Sequence, residues 1–255
     1  MLRFFHAAWL VACFLSYGIA TGGTPCVGED FRVDNAVYEG NNKTPSIASV
    51  TLFHKEVVYD CMPNEIVVFN KTAGRFVLLN MKNRTRTELA ADDVNAFIKQ
   101  LQPRAAKNPD PLVKFLADPK FQEQFNESTR ELTFASPLLT YRLTLSPQAS
   151  AAAVEQYREF SDWSAKLNAM LVPGSRPPFA RLFVNAVVAR RKAIASQVAL
   201  TFSSGKAKTT TTIRSTHQVS NALTPADLEG LAKIGEDLTG FRLVGFDEYR
   251  GGGEK

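Results

Sequence analysis

The stretch Glu65–Ala90, EIVVFNKTAGRFVLLNMKNRTRTELA, decides the fold. Ile66-Val67-Val68-Phe69 runs apolar into a turn at Thr72-Ala73-Gly74. Phe76-Val77-Leu78-Leu79 returns, and Asn83-Arg84 turns the chain again into Thr85 to Leu89. Short turns between such runs make neighbouring strands pair antiparallel. Upstream, Val57-Val58-Tyr59, Ile47 to Phe53, and the segment holding Phe31, Val33 and Val37 extend the pattern, with Pro63-Asn64 as a break. Apolar and polar residues alternate with period two, the mark of half-buried strands. About six short strands in a meander result.

Downstream the period changes. Asp92 or Asp93 caps a helix in which Val94, Phe97, Ile98 and Leu101 recur at helical spacing, and Pro103 is expected to end it. Asn108-Pro109-Asp110-Pro111 is a rigid connector to a short helix over Leu112 to Leu116. Strands follow at Glu131 to Phe134 and Thr140 to Leu145, with Ser136-Pro137 in the turn. The longest helix is expected from about Ser150 to Leu171, striped by Val154, Tyr157, Phe160, Leu167 and Leu171 and stopped by Pro173-Gly174. Pro177 and Pro178 start another helix, suited to a position where a missing N–H costs nothing. It carries Leu182, Phe183, Val184, Val187 and Val188 and is expected to be well buried.

Val198, Leu200 and Phe202 make a strand, and Thr209 to His217 returns as a Thr-rich one, suited to a partly solvated sheet face. Thr224, Pro225 and Asp227 cap a last helix striped by Leu228, Leu231, Ile234 and Leu238 and ended at Gly240. Leu243 to Tyr249 reads as a final strand. The expected fold is α+β. About eleven strands form one curled antiparallel sheet, incomplete-barrel-like, with helices packed on one face. If helices cover a concave face, an apolar chamber forms between them.

The first twenty residues set the compartment. Arg3, the apolar run Ala7 to Ile19, and the small residues Gly18 and Ala20 read as a signal peptide over 1–20. Export to the periplasm or the extracellular space follows. Two alternatives are an uncleaved N-terminal membrane anchor and a lipid-bearing Cys13 in Leu10-Val11-Ala12-Cys13. The remainder divides into an N-terminal arm at 21–30, a single domain at 31–250 and a tail at 251–255. About 235 residues is enough to bury a core without staples. Hydrophobic residues at 45% and charged ones at 22% are ordinary globular values. In an oxidising compartment Cys26 and Cys61 form a candidate disulfide, the alternative being two free thiols. The four Asn-X-Ser/Thr sequons, at Asn42, Asn70, Asn83 and Asn126, matter only in a eukaryotic secretory route.

The formal charge is +5, and its densest cluster is Arg190-Arg191-Lys192. That cluster reads as the cationic last turn of a helix, or else as a contact with a membrane surface or polyanion. Neither nucleic acid nor nucleotide is an expected partner, because no aromatic-basic interleaving and no Gly-rich phosphate loop occurs. No cofactor is expected. His54 and His217 have no second ligand at metal spacing, which excludes a zinc motif.

Three constellations remain. Ser215 and His217 share one strand face and are the residues a cryptic hydrolase would use, although no Gly-X-Ser-X-Gly elbow holds the serine. Asp60 with Glu65, and Asp247 with Glu248, are carboxylate pairs whose default reading is solvated strand ends. Phe76, Tyr157, Phe160, Trp163 and Phe183 are aromatics that line either a filled core or the wall of a ligand cavity.

The phrases Thr51-Leu52-Phe53, Val58-Tyr59-Asp60 and Gly74-Arg75-Phe76-Val77-Leu78-Leu79 resemble those of uncharacterised secreted bacterial proteins. Their succession over residues 31–89 is also similar to the periplasmic lipoprotein-sorting carrier superfamily. The resemblance implies an incomplete β-barrel whose open side is plugged by helices and whose interior holds acyl chains. Members usually begin with a long helix ahead of the first strand, where this chain has a short arm, and the helical segment 150–192 is an addition. The expectation is an exported, non-enzymatic protein binding an apolar ligand or lipidated partner between sheet and helices. The alternative is an exported structural or protein-interaction module with a filled core, followed by a hydrolase around Ser215 and His217.

Overall fold

The computed structural model describes residues 30–146, 149–203 and 210–251. The expected signal peptide, Cys13, Cys26, nearly all of the arm and most of the tail lie outside the described residues. The first meander is β1 (Phe31–Glu39), β2 (Ile47–His54), β3 (Val57–Cys61), β4 (Glu65–Asn70), β5 (Arg75–Asn80) and β6 (Thr85–Ala90). Each strand pairs antiparallel with the next. Helices α1 (Ala91–Ala106) and α2 (Pro111–Ala117) lead to β7 (Gln122–Asn126), β8 (Glu131–Ala135) and β9 (Leu139–Ser146). Then come α3 (Ala151–Leu171), α4 (Phe179–Arg190), β10 (Ile194–Ser203) and β11 (Thr210–Ser220). The described chain closes with α5 (Pro225–Gly240), β12 (Arg242–Leu243) and α6 (Phe246–Gly251).

One open sheet of twelve strands results, in the order β12-β6-β5-β4-β3-β2-β1-β11-β10-β9-β8-β7. The joint between the two meanders is β1, which pairs with β2 on one side and β11 on the other. All pairings are antiparallel except β12 with β6, which is parallel. The tight β4–β5 turn works because Gly74 takes a positive φ of 57°, a conformation that costs glycine little. The Asn70 side chain accepts from the Ala73 N–H at 2.9 Å to close that turn.

Helices α1, α2, α3 and α4 form one layer, in which α3 packs on α1 and α4, and α2 on α1 and α4. Under α3 lie Phe31, Val33, Phe53, Val58, Phe69, Phe76 and Leu78. Phe31 and Phe53 stack at 3.9 Å, and Phe69 and Phe76 at 4.5 Å. Under α4, Leu132, Phe134, Leu139, Tyr141, Leu143 and Leu145 meet Ala180, Val184 and Val187. Burying each large apolar side chain stabilises the fold by about 1.5–3 kcal/mol.

Helix α5 packs on the opposite face, with Leu231 and Ile234 against Leu52, Ile66, Val68 and Leu79. The first meander is thus covered on both sides, which is why IVVF and FVLL are continuous apolar runs rather than alternations.

Several expectations are corrected. Leu243 to Tyr249 is not a strand: β12 stops at Leu243, and Phe246–Gly251 is helical. Phe246 and Tyr249 are three apart and both pack on the α3-side core, while Asp247 and Glu248 complement the helix N-terminus. Pro103 does not end α1, which continues to Ala106. The only intrahelical acceptor it strands is the carbonyl of exposed Lys99, and Ala105, 3% exposed, anchors the last turn. Strand β7, with four of its five residues exposed, was not anticipated because an edge strand this polar carries no apolar period. The count is twelve strands and six helices rather than eleven and five.

Candidate functional site

A cavity of about 610 Å³ lies between the sheet and helices α3 and α4. Val37 of β1, Leu143 of β9, Val198 and Leu200 of β10 and Ile213 of β11 face Val154 of α3 and Val184 and Val188 of α4 across it. The strands supply these residues because period two aims every second side chain at the same face. Register confirms the alignment: Val198 sits opposite Ser215 and Leu143, and Leu200 opposite Ile213 and Tyr141. Ile47, 51% exposed, stands at the rim.

From Ser215 and His217 on the cavity floor, a row of polar side chains runs away from the cavity over four neighbouring strands. Ser215 Oγ is 2.9 Å from His217 Nε2, and His217 Nδ1 is 2.7 Å from Asn35 Oδ1. The Asn35 amide donates to Thr51 Oγ1 at 2.9 Å and to Ser49 Oγ at 3.3 Å. Thr51 Oγ1 then donates to Asp60 Oδ1 at 3.0 Å. Asn35 Oδ1 only accepts, so the imidazole carries its proton on Nδ1 and Nε2 accepts from the Ser215 hydroxyl. Burial, then the charge of Arg181, lowers the His217 pKa to about 4. Burial raises that of Asp60, opposed by bonds from Thr51 and Ser49 and by Arg181. Tyr157 of α3 caps the row, its ring centroid 6.1 Å from that of His217 and its hydroxyl pushed up to about 12 by burial.

Among the described residues, three arginines and no carboxylate line the cavity. Arg158 is held by Glu155 at 2.5 Å and Asp162 at 2.7 Å, and Asn185 donates to Asp162 at 2.8 Å. Arg176 lies 4.3 Å over the Phe202 ring. Arg181, on the first turn of α4, makes no hydrogen bond or ion pair among the described residues. Its charge is felt at Asp60, Tyr141, Tyr157 and His217, on four different elements.

The five expected wall aromatics separate. Tyr157 lines the cavity. Phe76, Phe160 and Trp163 instead line a neighbouring cleft of about 440 Å³ on the other side of α3, with Phe69, Leu167 and Tyr249. There Trp163 touches Phe69 and Phe76 at 5.5 and 5.3 Å. Phe183 lines neither space. It is 38% exposed and meets Phe121 and Phe134 at the edge of the α4 core, so α4 is less well buried than expected.

Ser215 and His217 do meet, and the third member of their row is Asn35, which sequence reading passed over. A lone Asn in a strand gives no signal until the β1–β11 register places it opposite His217. Asp60 and Glu65 both line the cleft beside α3, where burial raises both carboxyls. Asp247 and Glu248 lie on α6, where Glu248 pairs with Arg242 at 3.0 Å. Cys61 is unbridged among the described residues and faces the α5-side core, where burial raises its thiol to about 11. Arg190 ends α4, and Arg191 pairs with Glu123 at 2.5 Å and lies over Phe125. Among the described residues no group of three His, Cys, Asp or Glu is placed to hold a metal, and no helix is long and apolar enough to cross a membrane.

No family model and no curated protein matches the chain. A solved structure of PNGF-II in a P21 space group overlays with a TM-score of 0.31 and 6% sequence identity, covering 78% of this chain and 30% of that one. The chain therefore matches less than a third of that protein's length.

Proposed function

We propose that the chain is an exported, non-enzymatic binding protein that takes an apolar ligand or lipidated partner between its sheet and helices α3 and α4. The observation that carries this reading is the cavity of about 610 Å³, larger than the neighbouring cleft of about 440 Å³ and lined by apolar side chains from five strands and two helices. Its size is within the roughly 300–1,000 Å³ of ligand sites, and a few convergent polar groups accompany it. The similarity of residues 31–89 to lipoprotein-sorting carriers supports the same reading.

The test is uptake of a neutral apolar dye, N-phenyl-1-naphthylamine, by the wild type and by Val198→Trp. Saturable uptake that Val198→Trp abolishes supports the proposal. No uptake by the wild type favours an interaction module.

A second reading, acyl hydrolysis, is favoured by the order Ser215–His217–Asn35, which supplies a nucleophile, a base and an orienting group. Two features weigh against it. A base with a pKa of about 4 takes a proton poorly at neutral pH. Strand β11 is paired on both sides, so backbone N–H groups beside Ser215 are committed to the ladder rather than free for an oxyanion. Hydrolysis of p-nitrophenyl esters lost in Ser215→Ala would establish this reading.

A further inference from the structure

We propose that the ligand is an anionic amphiphile, an acyl chain with a carboxylate or phosphate head, and that Arg181 receives the head. This rests on the cavity reading and adds the chemistry of the occupant. Among the described residues, the lining contributes three cationic side chains and no acidic one. His217 is neutral above about pH 4, so it does not alter the balance.

The three arginines are not equivalent. Arg158 has two carboxylates of its own, Glu155 and Asp162, and is neutralised. Arg176 is occupied by the face of Phe202. Arg181 has neither kind of partner among the described residues, yet it lines the cavity and acts on charged or polar groups of β3, β9, α3 and β11. An uncommitted guanidinium on the wall of a partly apolar cavity offers what an oxyanion needs, because arginine binds carboxylate and phosphate through paired N–H donors. Apolar Val198, Leu200, Ile213, Val184 and Val188 supply the wall for the chain attached to it.

Three single-chain probes of one length separate the parts: oleate, oleyl phosphate and the uncharged oleyl alcohol. Each is titrated calorimetrically into the purified full chain and into Arg181→Gln and Arg181→Lys. Arg181 is exposed and makes no ion pair among the described residues, so neither variant threatens folding. At least one anion is expected to bind tenfold or more tightly than the alcohol. Arg181→Gln should erase that margin while leaving the alcohol within twofold, and Arg181→Lys should keep part of it. The tighter of the two anions tells a carboxylate source from a phosphate source. Equal binding of alcohol and anions, or a margin that survives Arg181→Gln, overturns the head-group assignment and leaves the cavity reading standing. No binding of any probe overturns both.

Discussion

His217 Nδ1 lies 2.7 Å from Asn35 Oδ1, across the one strand pairing that joins the two meanders. Asn35 sits opposite His217 on β11 and opposite Ser49 on β2, so this residue links both neighbours of β1. The bond fixes the imidazole tautomer, and the amide passes the connection on to Thr51 and Asp60. The part of the cavity floor at Ser215 and His217 is therefore one end of a hydrogen-bonded unit whose members depend on one another.

That unit predicts a pH dependence of stability. The folded-state pKa of His217 is lowered to about 4 by burial and by Arg181, against about 6.5 for an unperturbed histidine. Between those values the unfolded chain binds a proton that the folded chain refuses. Stability from this group is thus complete above about 6.5 and falls as pH drops towards 4. The facing groups are Arg181 from α4, Tyr157 from α3 and Asn35 from β1, while Asp60, raised by burial, titrates in the opposite sense. Urea unfolding of the wild type and His217→Gln isolates the term. The wild type should lose up to about 3 kcal/mol more than the variant across the window. Parallel curves would contradict the assignment.

Thr51 is fully buried and bridges Asn35 to Asp60. Thr51→Val keeps the shape and deletes the hydroxyl, leaving both neighbours a partner short. A loss of about 1–3 kcal/mol is expected, with Thr51→Ser closer to wild type. Equilibrium unfolding in urea measures both. Equal stability of the valine variant and the wild type would show that the row contributes nothing.

Asp227 is 7% exposed, yet its carboxyl is held below the usual carboxylate range. Burial alone would raise it. Hydrogen bonds from the Thr224 backbone and hydroxyl, together with Arg32 at 2.6 Å, outweigh that effect. Asp227 also completes the capping box of α5 and ties that helix to β1. Asp227→Asn should cost about 1–3 kcal/mol at pH 7. The cost should shrink as pH falls through the carboxylate range, because the depressed pKa stabilises the fold only while the group is ionised. Thermal melts at pH 7 and 3 read the difference, and a constant cost would contradict it.

Trp163 packs on Phe69 and Phe76 beside α3, with Lys166 Nζ 4.2 Å from its ring, and lines the smaller cleft rather than the cavity. Trp163→Ala should lower stability by about 3–5 kcal/mol. Dye uptake per folded molecule should be unchanged. Unfolding and uptake measured on one preparation check both halves, and selective loss of uptake would move the binding site to the cleft.

The strands of the first meander were legible because turns such as Thr72-Ala73-Gly74 and Asn83-Arg84 punctuate β-prone runs. The capping box at Thr224 and Asp227 was legible for a similar local reason. What was not legible depended on distant residues. Phe183 and Tyr157 are both aromatic on apolar helices, and only the packing of Phe183 on Phe121 and Phe134 places it away from the cavity that Tyr157 lines. Arg181 was invisible as a candidate because one arginine in a helix looks like any other until it is seen to make no ion pair among the described residues. Asn35 needed the pairing of β1 with β11, which brings it to His217, 182 residues away. The C-terminal run misled because Leu243 and Val244 favour a strand, while Phe246 and Tyr249 take helical spacing to reach the core.

Native mass spectrometry of the full chain, purified without added lipid or detergent, tests the central claim most directly. The account predicts a bound mass in the range of a single-chain acyl lipid, lost on organic extraction and recovered by titration with oleate. A bare mass before extraction, with no uptake of any acyl probe afterwards, would contradict it.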